Sequence, residues 1–387
     1  MGSLEIVAAE TRRALRAFID LPYRLHRNHP QFVPPLRRER HELFDRSRHP
    51  FFRHAEAVLF LARRNGRLVG RIEAIVNHAH NRFHEDRVGF FGAFESENDH
   101  AVSEALLEGA AGWLKRQGME VMRGPVTHST NEECGLLIEG FEEPPMVGMP
   151  YNPPYYAALL EAFGLTKAKD LYAWEVRADR EIPDKIPRVA EIARRSTNVV
   201  VRQVSFADYA GEIRRALGVY NASWTRNWGF VPLTEAEFIY AAEQLRPLLE
   251  RFPEGALLAE VGGRTIGFCL AVLDVNQALT RVRDGRLFPF GFWALYGGLR
   301  RVDQARIMAL GIRPEFRHRG IDALIYWELL SRARPLGYRR AEIGWTLEDN
   351  RVMNRAISMG GRHYKTYRLY DLPLRCGFPL TSFPPCH

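Results

Sequence analysis

The chain has 387 residues, enough for two or three domains of ordinary size. Its apolar and charged fractions, 46% and 26%, are those of a globular chain, and no apolar run is long enough to span a bilayer, which argues against a membrane-spanning helix. A formal charge of +8 favours anionic partners such as nucleotide cofactors, acidic lipid surfaces or nucleic acid, although only 5 of the 54 basic residues are Lys, as a GC-rich genome would also produce.

In chain order, residues 1–54 are basic and punctuated by Phe32-Val33-Pro34-Pro35-Leu36, where proline imposes an extended path, with a helix expected over 11–21. The first five residues lack the features of a signal peptide, so the expected location is the cytoplasm, with a peripheral place at the inner membrane face as a variant. Apolar runs at 58–62 and 68–76 about Asn65-Gly66 predict a β-hairpin. A strand over 88–94, a helix over 101–117 and a strand over 121–126 follow. The Gly/Pro-rich connection 127–154 is of a length that usually carries function. A helix through Leu160 and Phe163 and a strand over 171–176 close the half, and 179–184, with Pro183 and Pro187 nearby, reads as a linker.

The second half repeats the scheme: strand 199–204, helix 209–224, hairpin 256–273 about Gly262-Gly263, strand 307–310, helix 323–334, strand 341–345, helix 352–359 and strand 364–370. Asn65-Gly66-Arg67-Leu68-Val69-Gly70 matches Gly262-Gly263-Arg264-Thr265-Ile266-Gly267, and Gly164 matches Gly361 at the same offset. We read two diverged copies of one mixed α/β fold with reciprocal insertions, two unrelated α/β domains being the alternative. The expected boundaries are an N-terminal extension 1–54 packing on the first domain, a first copy 55–178, a linker 179–197, a second copy 198–375 and a tail 376–387. Cys134, Cys269, Cys376 and Cys386 are far apart or lack His at ligand spacing, so neither a disulfide framework nor a metal site is indicated.

Between strand 307–310 and its helix lies Arg317-His318-Arg319-Gly320-Ile321-Asp322. A helix start presents unpaired N–H groups and a positive dipole end, so a basic glycine loop there suits a phosphate; a solvated cap is the plainer use. The matching segment of the first copy, Glu95-Ser96-Glu97-Asn98-Asp99, carries three carboxylates that would repel a pyrophosphate. Leu287 to Leu299 is aromatic and apolar, with Phe292 and Trp293 at its centre and Arg283, Arg286, Arg300 and Arg301 around it. It suits a membrane interface or lipid mouth, and equally a strand pair in the core or a dimer contact.

The basic loop resembles the pyrophosphate-binding R-x-x-G-x-G/A signature of the GNAT acyltransferase superfamily, with Arg317 and Gly320 on the first two marked positions and Asp322 where Gly or Ala is preferred. Asn350 and Gly361 fall on the family's N-x-x-A-x-x-x-Y-x-x-x-G-F pattern, with Ile357 in place of the Tyr that protonates the departing thiolate. With Gly89-Phe90-Phe91-Gly92-Ala93-Phe94-Glu95, Tyr151-Asn152-Pro153-Pro154-Tyr155-Tyr156 and Glu348-Asp349-Asn350, the chain looks like the bacterial ceramide-synthase-like proteins, a tandem GNAT branch, over about residues 18–374.

The resemblance implies tandem GNAT-like domains, the first degenerate, and acyl-CoA or acetyl-CoA as co-substrate at Ala309, Leu310, Ile312, Arg317, His318, Arg319, Gly320, Ile321, Asp322 and Asn350. The backbone N–H of Leu310 or Ala309 would polarise the thioester. Glu348 is the expected base, helix capping being its other use, and Tyr364 and Tyr367 are the expected proton donors. Tyr151, Asn152, Tyr155, Phe292 and Trp293 are expected on the acceptor side. The implied activity is N-acylation of a small-molecule or lipid amine, a long-chain amino alcohol in this branch. An aminoacyl-tRNA-dependent transferase and a CoA-binding regulator with a decayed site are the alternatives, though the absence of dense Lys/Arg clusters on one helix does not favour nucleic acid. The acceptor and the oligomeric state are left open.

Overall fold

The computed structural model describes residues 3–374, so Cys376, Cys386 and the tail 376–387 lie outside the described residues. The strands are β1 (Leu4–Ala8), β2 (Ala55–Arg64), β3 (Arg67–Asn77), β4 (Val88–Ser96), β5 (Val121–Gly124), β6 (Leu136–Glu139), β7 (Thr166–Arg177), β8 (Val200–Gln203), β9 (Ala256–Val261), β10 (Arg264–Leu273), β11 (Gln304–Ile312), β12 (Arg340–Leu347) and β13 (Arg362–Pro373). Two compact units form, one from 3–171, 278–297 and 365–374 and the other from 172–277 and 298–364. Most of β13 therefore groups with the first unit and the end of β7 with the second.

In the first unit β1 to β4 form an antiparallel run, β5 joins β4 in parallel, and β13 pairs antiparallel with β5 and β6. Asn65 and Gly66, both at positive φ, make the turn of the expected hairpin. Alternation along β2 sends Phe60 and Ala62 to one core, under Leu106, Leu107 and Leu114 of helix His100–Arg116. Leu59 and Leu61 face the other way, onto Phe18 and Ile19 of helix Arg12–Leu25.

The second unit has the same plan. β8, β9, β10 and β11 run antiparallel and β12 joins β11 in parallel. Leu257 and Ala259 of β9 pack under Ile321, Leu324 and Ile325 of helix Ile321–Ala333, while Leu258 meets Val219 of helix Tyr209–Ser223 on the opposite face. Residues 179–197, expected as a linker, hold helix Lys185–Thr197, whose Ala190 and Ala193 join the first of these cores. Pro187 sits in its first turn, where proline's missing N–H breaks no helical bond, so the punctuation read from sequence does not interrupt the helix.

Among the bulges of each unit, one lies at an equivalent place in the strand that begins the parallel pairing. Ala93 and Phe94 of β4 oppose the single residue Ile72, and Met308 of β11 is unmatched between Leu270 and Ala271 of β10. Just before each bulge the parallel ladder stops, at Phe90 with Arg123 and at Ile307 with Ile343. Past those pairs the strands share no ladder, although Val126 N–H still donates to the Phe91 carbonyl at 2.7 Å, and in the first unit a cavity lies beside the bulge.

Candidate active site

In the second unit β11 leads through the turn Pro314–Phe316 into the basic loop. His318 and Gly320 are both at positive φ, and Gly320 begins the helix from a left-handed conformation. Gly320 is also required sterically, since a Cβ there would stand 2.7 Å from Val189 Cγ1 of helix Lys185–Thr197. Ile321 and Leu324 bury into the core and fix the helix axis, so its N-terminus faces the loop.

No side chain of the described residues caps this helix start, and its first N–H groups are offered as an anion site needs. The Arg317 guanidinium donates to the carbonyls of Ile312, at 3.3 Å, and Ser223, so it braces the loop instead of reaching out. His318, Arg319 and Asp322 are exposed, with Arg319 over the Phe316 ring at 5.5 Å. Asp322, in the first turn, complements the helix dipole. The first unit differs: Asp99 accepts from Ala101 N–H at 3.0 Å and Val102 N–H at 3.2 Å and is paired with Arg64.

Ala309 and Leu310 pair with Leu270 and Cys269 along one edge of β11, while the other edge has no ladder with β12 past Ile307. Arg306 and Glu342 form an ion pair at 3.0 Å, with Glu342 0% exposed; Arg306 also donates to the Gly344 carbonyl at 3.0 Å. The Tyr364 hydroxyl donates to Glu342, and the Arg340 guanidinium lies over the Tyr364 ring at 5.0 Å. Glu348 occupies the turn after β12, held by Asn354, whose amide donates to the carbonyls of Leu347 at 2.9 Å and Glu348 at 3.3 Å while accepting from the Thr346 hydroxyl at 2.6 Å.

The second unit thus contains Ala309, Leu310, Ile312, the loop, Glu348 and Tyr364. Two other expected residues have different tasks. The Asn350 side chain accepts from Met353 N–H at 3.3 Å, so it caps helix Arg351–Ser358, the ordinary use of Asn before a helix. Tyr367 is 0% exposed and groups with the first unit; three residues from Tyr364 along β13, its side chain is expected on the opposite face of the strand. Sequence reasoning missed Arg306, Glu342 and Asn354; the signal was a lone charge in Ala305-Arg306-Ile307 and in Ala341-Glu342-Ile343, an odd thing for a strand to carry.

Of the residues expected at the acceptor, Asn152 is structural: its buried amide brackets Leu137, accepting from the N–H at 2.7 Å and donating to the carbonyl at 3.0 Å. That clamp fastens the long connection to β6. The Tyr155 hydroxyl donates to the Ser96 carbonyl at 2.9 Å, while Tyr151 and Asn152 both line a cavity, the Tyr151 hydroxyl 2.8 Å from His29 Nδ1. Phe292 and Trp293 lie on helix Gly291–Leu299, which is not a strand pair and whose aromatic face is not in the core. Phe288, Phe290 and Trp293 are 83%, 79% and 69% exposed, beside exposed Arg283 and Arg286. Cys134 and Cys269 are buried free thiols, no group of metal-ligating side chains occurs among the described residues, and none of their helices is long and apolar enough to cross a membrane.

The model of the acetyltransferase (GNAT) family matches residues 219–360, all within the second copy. A Caulobacter vibrioides (strain NA1000 / CB15N) protein named bacterial ceramide synthase is 37% identical over 382 residues, 96% of this chain and 98% of that protein. Protein YghO of Escherichia coli (strain K12) is 34% identical over 366 residues, 92% of each chain. Among solved structures, a tandem GNAT protein from the clavulanic acid biosynthesis pathway superposes with a TM-score of 0.55 at 12% identity, over 97% of this chain and 100% of its own, a likeness of fold.

Proposed function

Since this chain belongs to the GNAT acyltransferases, in the tandem branch of the Caulobacter ceramide synthase, we propose that it transfers an acyl group from acyl-CoA to the primary amine of a long-chain amino alcohol. The observation that carries the reading is the contrast between the two helix starts: one is closed by Asp99, while the other, behind Gly320, keeps its N–H groups for a phosphate. The choice of a lipidic amine rests on the relative's name together with the exposed aromatic segment.

Acyl-CoA supplies the activated carbonyl. The N–H groups at the open edge of β11, from Ala309 or Leu310, polarise it, and Glu348 takes the proton that the attacking amine loses as the C–N bond forms and the C–S bond breaks. Tyr364 is the nearest tyrosine in sequence to replace the one missing at Ile357. Incubating the full chain with acyl-CoAs of graded length should raise Tm by several degrees at saturating concentration. Glu348→Gln should keep that shift while kcat falls by a factor of about 10² to 10⁴. No shift with any CoA species would sink the proposal; retained turnover in Glu348→Gln would remove the base alone.

The aromatic segment is read as an interfacial anchor, its rings in the headgroup layer and Arg283 and Arg286 against anionic lipid. Vesicles containing phosphatidylglycerol should co-sediment the protein better than phosphatidylcholine vesicles, and Phe288→Ser/Trp293→Ser should abolish the difference. A concentration-dependent dimer that the same double variant dissolves would show instead that a second copy covers the patch.

A further inference from the structure

One side chain sets the backbone on both sides of Glu348. The Asn354 amide donates to the Leu347 carbonyl at 2.9 Å and to the Glu348 carbonyl at 3.3 Å. The first carbonyl belongs to the peptide plane before the Glu348 Cα, the second to the plane after it. Each plane is rigid, so holding both fixes φ and ψ of Glu348 and with them the direction of its Cα–Cβ bond. Asn350 N–H donates to the same Leu347 carbonyl at 3.0 Å, which uses both lone pairs of that oxygen.

The amide is itself held from behind. Its Oδ1 accepts from the Thr346 hydroxyl at 2.6 Å, and Thr346 Oγ1 accepts from the Trp174 indole N–H at 3.0 Å. Turned over, the amide would set its oxygen against two carbonyls, so its orientation follows from its partners. The bonds thus run in one direction, from Trp174 on β7 through Thr346 on β12 to Asn354 and the turn, and all of these residues lie in the second unit. Neither packing nor helix propensity asks for this residue. Helix Arg351–Ser358 buries none of its side chains, and asparagine inside a helix competes for backbone hydrogen bonds.

We infer that Asn354 is a positioning residue for acyl transfer: it orients Glu348, and Thr346 and Trp174 orient it. The assignment rests on the reading of Glu348 as the base. Glu348 stands in a turn after β12, outside any strand ladder or helix, so its place relative to an attacking amine depends on what holds that turn. A displacement of about an ångström there would cost about a hundredfold in rate. Asn354 commits its oxygen and both amide hydrogens to this chain of bonds, so its loss should fall on the chemical step and spare the binding of acyl-CoA.

The test is a double-variant cycle on the full chain, read by turnover and, separately, by the Tm shift with acyl-CoA. Asn354→Ala introduces the better helix former and should fold. It should keep the wild-type acyl-CoA shift and KM while kcat falls by about 10- to 100-fold. Thr346→Val should lower kcat by less, since the amide keeps its two carbonyls. In a Glu348→Gln background, adding Asn354→Ala should change kcat by less than about twofold, because a residue that acts through Glu348 has nothing left to orient. Full additivity of the two substitutions, an unchanged kcat in Asn354→Ala, or a loss that falls on the acyl-CoA KM would overturn the assignment. Retained turnover in Glu348→Gln would remove the base and this assignment with it, whereas additivity on top of a slow Glu348→Gln removes this assignment alone. The two failures are therefore told apart.

Discussion

Replacing Arg306 by methionine should destabilise the protein by about 3–5 kcal/mol, the cost of leaving a buried carboxylate without its countercharge. Glu342 has no exposure to water, and the substitution would leave it bonded to the Tyr364 hydroxyl without the Arg306 charge. Arg306 also holds the Gly344 carbonyl, and its loss frees the part of β12 just past the end of its ladder with β11. Urea unfolding followed by fluorescence measures the change. Adding Glu342→Gln to the same chain should restore a large share of the lost stability, since it removes the stranded charge. A loss below about 1 kcal/mol in the single variant would mean that water or a rearranged side chain reaches Glu342.

Gly320→Ala should lower kcat/KM by about 100-fold, the effect of moving a binding loop by roughly an ångström. The alanine must adopt a φ of +73° and press its Cβ to within 2.7 Å of Val189, so the loop or helix Lys185–Thr197 has to shift. The two contributions separate in the double variant with Val189→Ala, which relieves the clash and leaves the backbone strain. Activity in that variant should recover partly, with the remaining deficit carried by the acyl-CoA KM. If Gly320→Ala retained activity within threefold, the loop would not be positioning the phosphate-binding N–H groups.

Much of the plan is legible in the sequence because it is written in local patterns. Asn65-Gly66 and Gly262-Gly263 announce their hairpins, and the recurring order of elements makes the two copies visible. The basic loop before helix Ile321–Ala333 is legible in the same way, its glycine doing what a left-handed helix start demands. What escaped was either long-range or ambiguous in residue type. His26 and Glu95 meet across 69 positions, and nothing near either one signals the other. Asn350 and Asn152 look like ligand-binding residues because an amide suits a ligand and a backbone equally well; here both serve backbone. Tyr364 and Tyr367 are close in sequence, but strand alternation separates them. Helix Lys185–Thr197 was hidden by a proline that its first turn tolerates.

Asp99 can be regarded as a ligand that the first copy carries on its own chain. Its carboxylate occupies the two helix N–H groups that an external anion would take, and tethering by a few bonds gives it an effective concentration on the order of millimolar or higher. A free nucleotide would have to displace that resident group before making a single contact. Duplication has therefore left one fold whose anion position exchanges with solution and one whose position is permanently self-occupied. The second kind is free to change its interior without losing a helix, and in that unit Glu95 is buried beside His26 and Arg71.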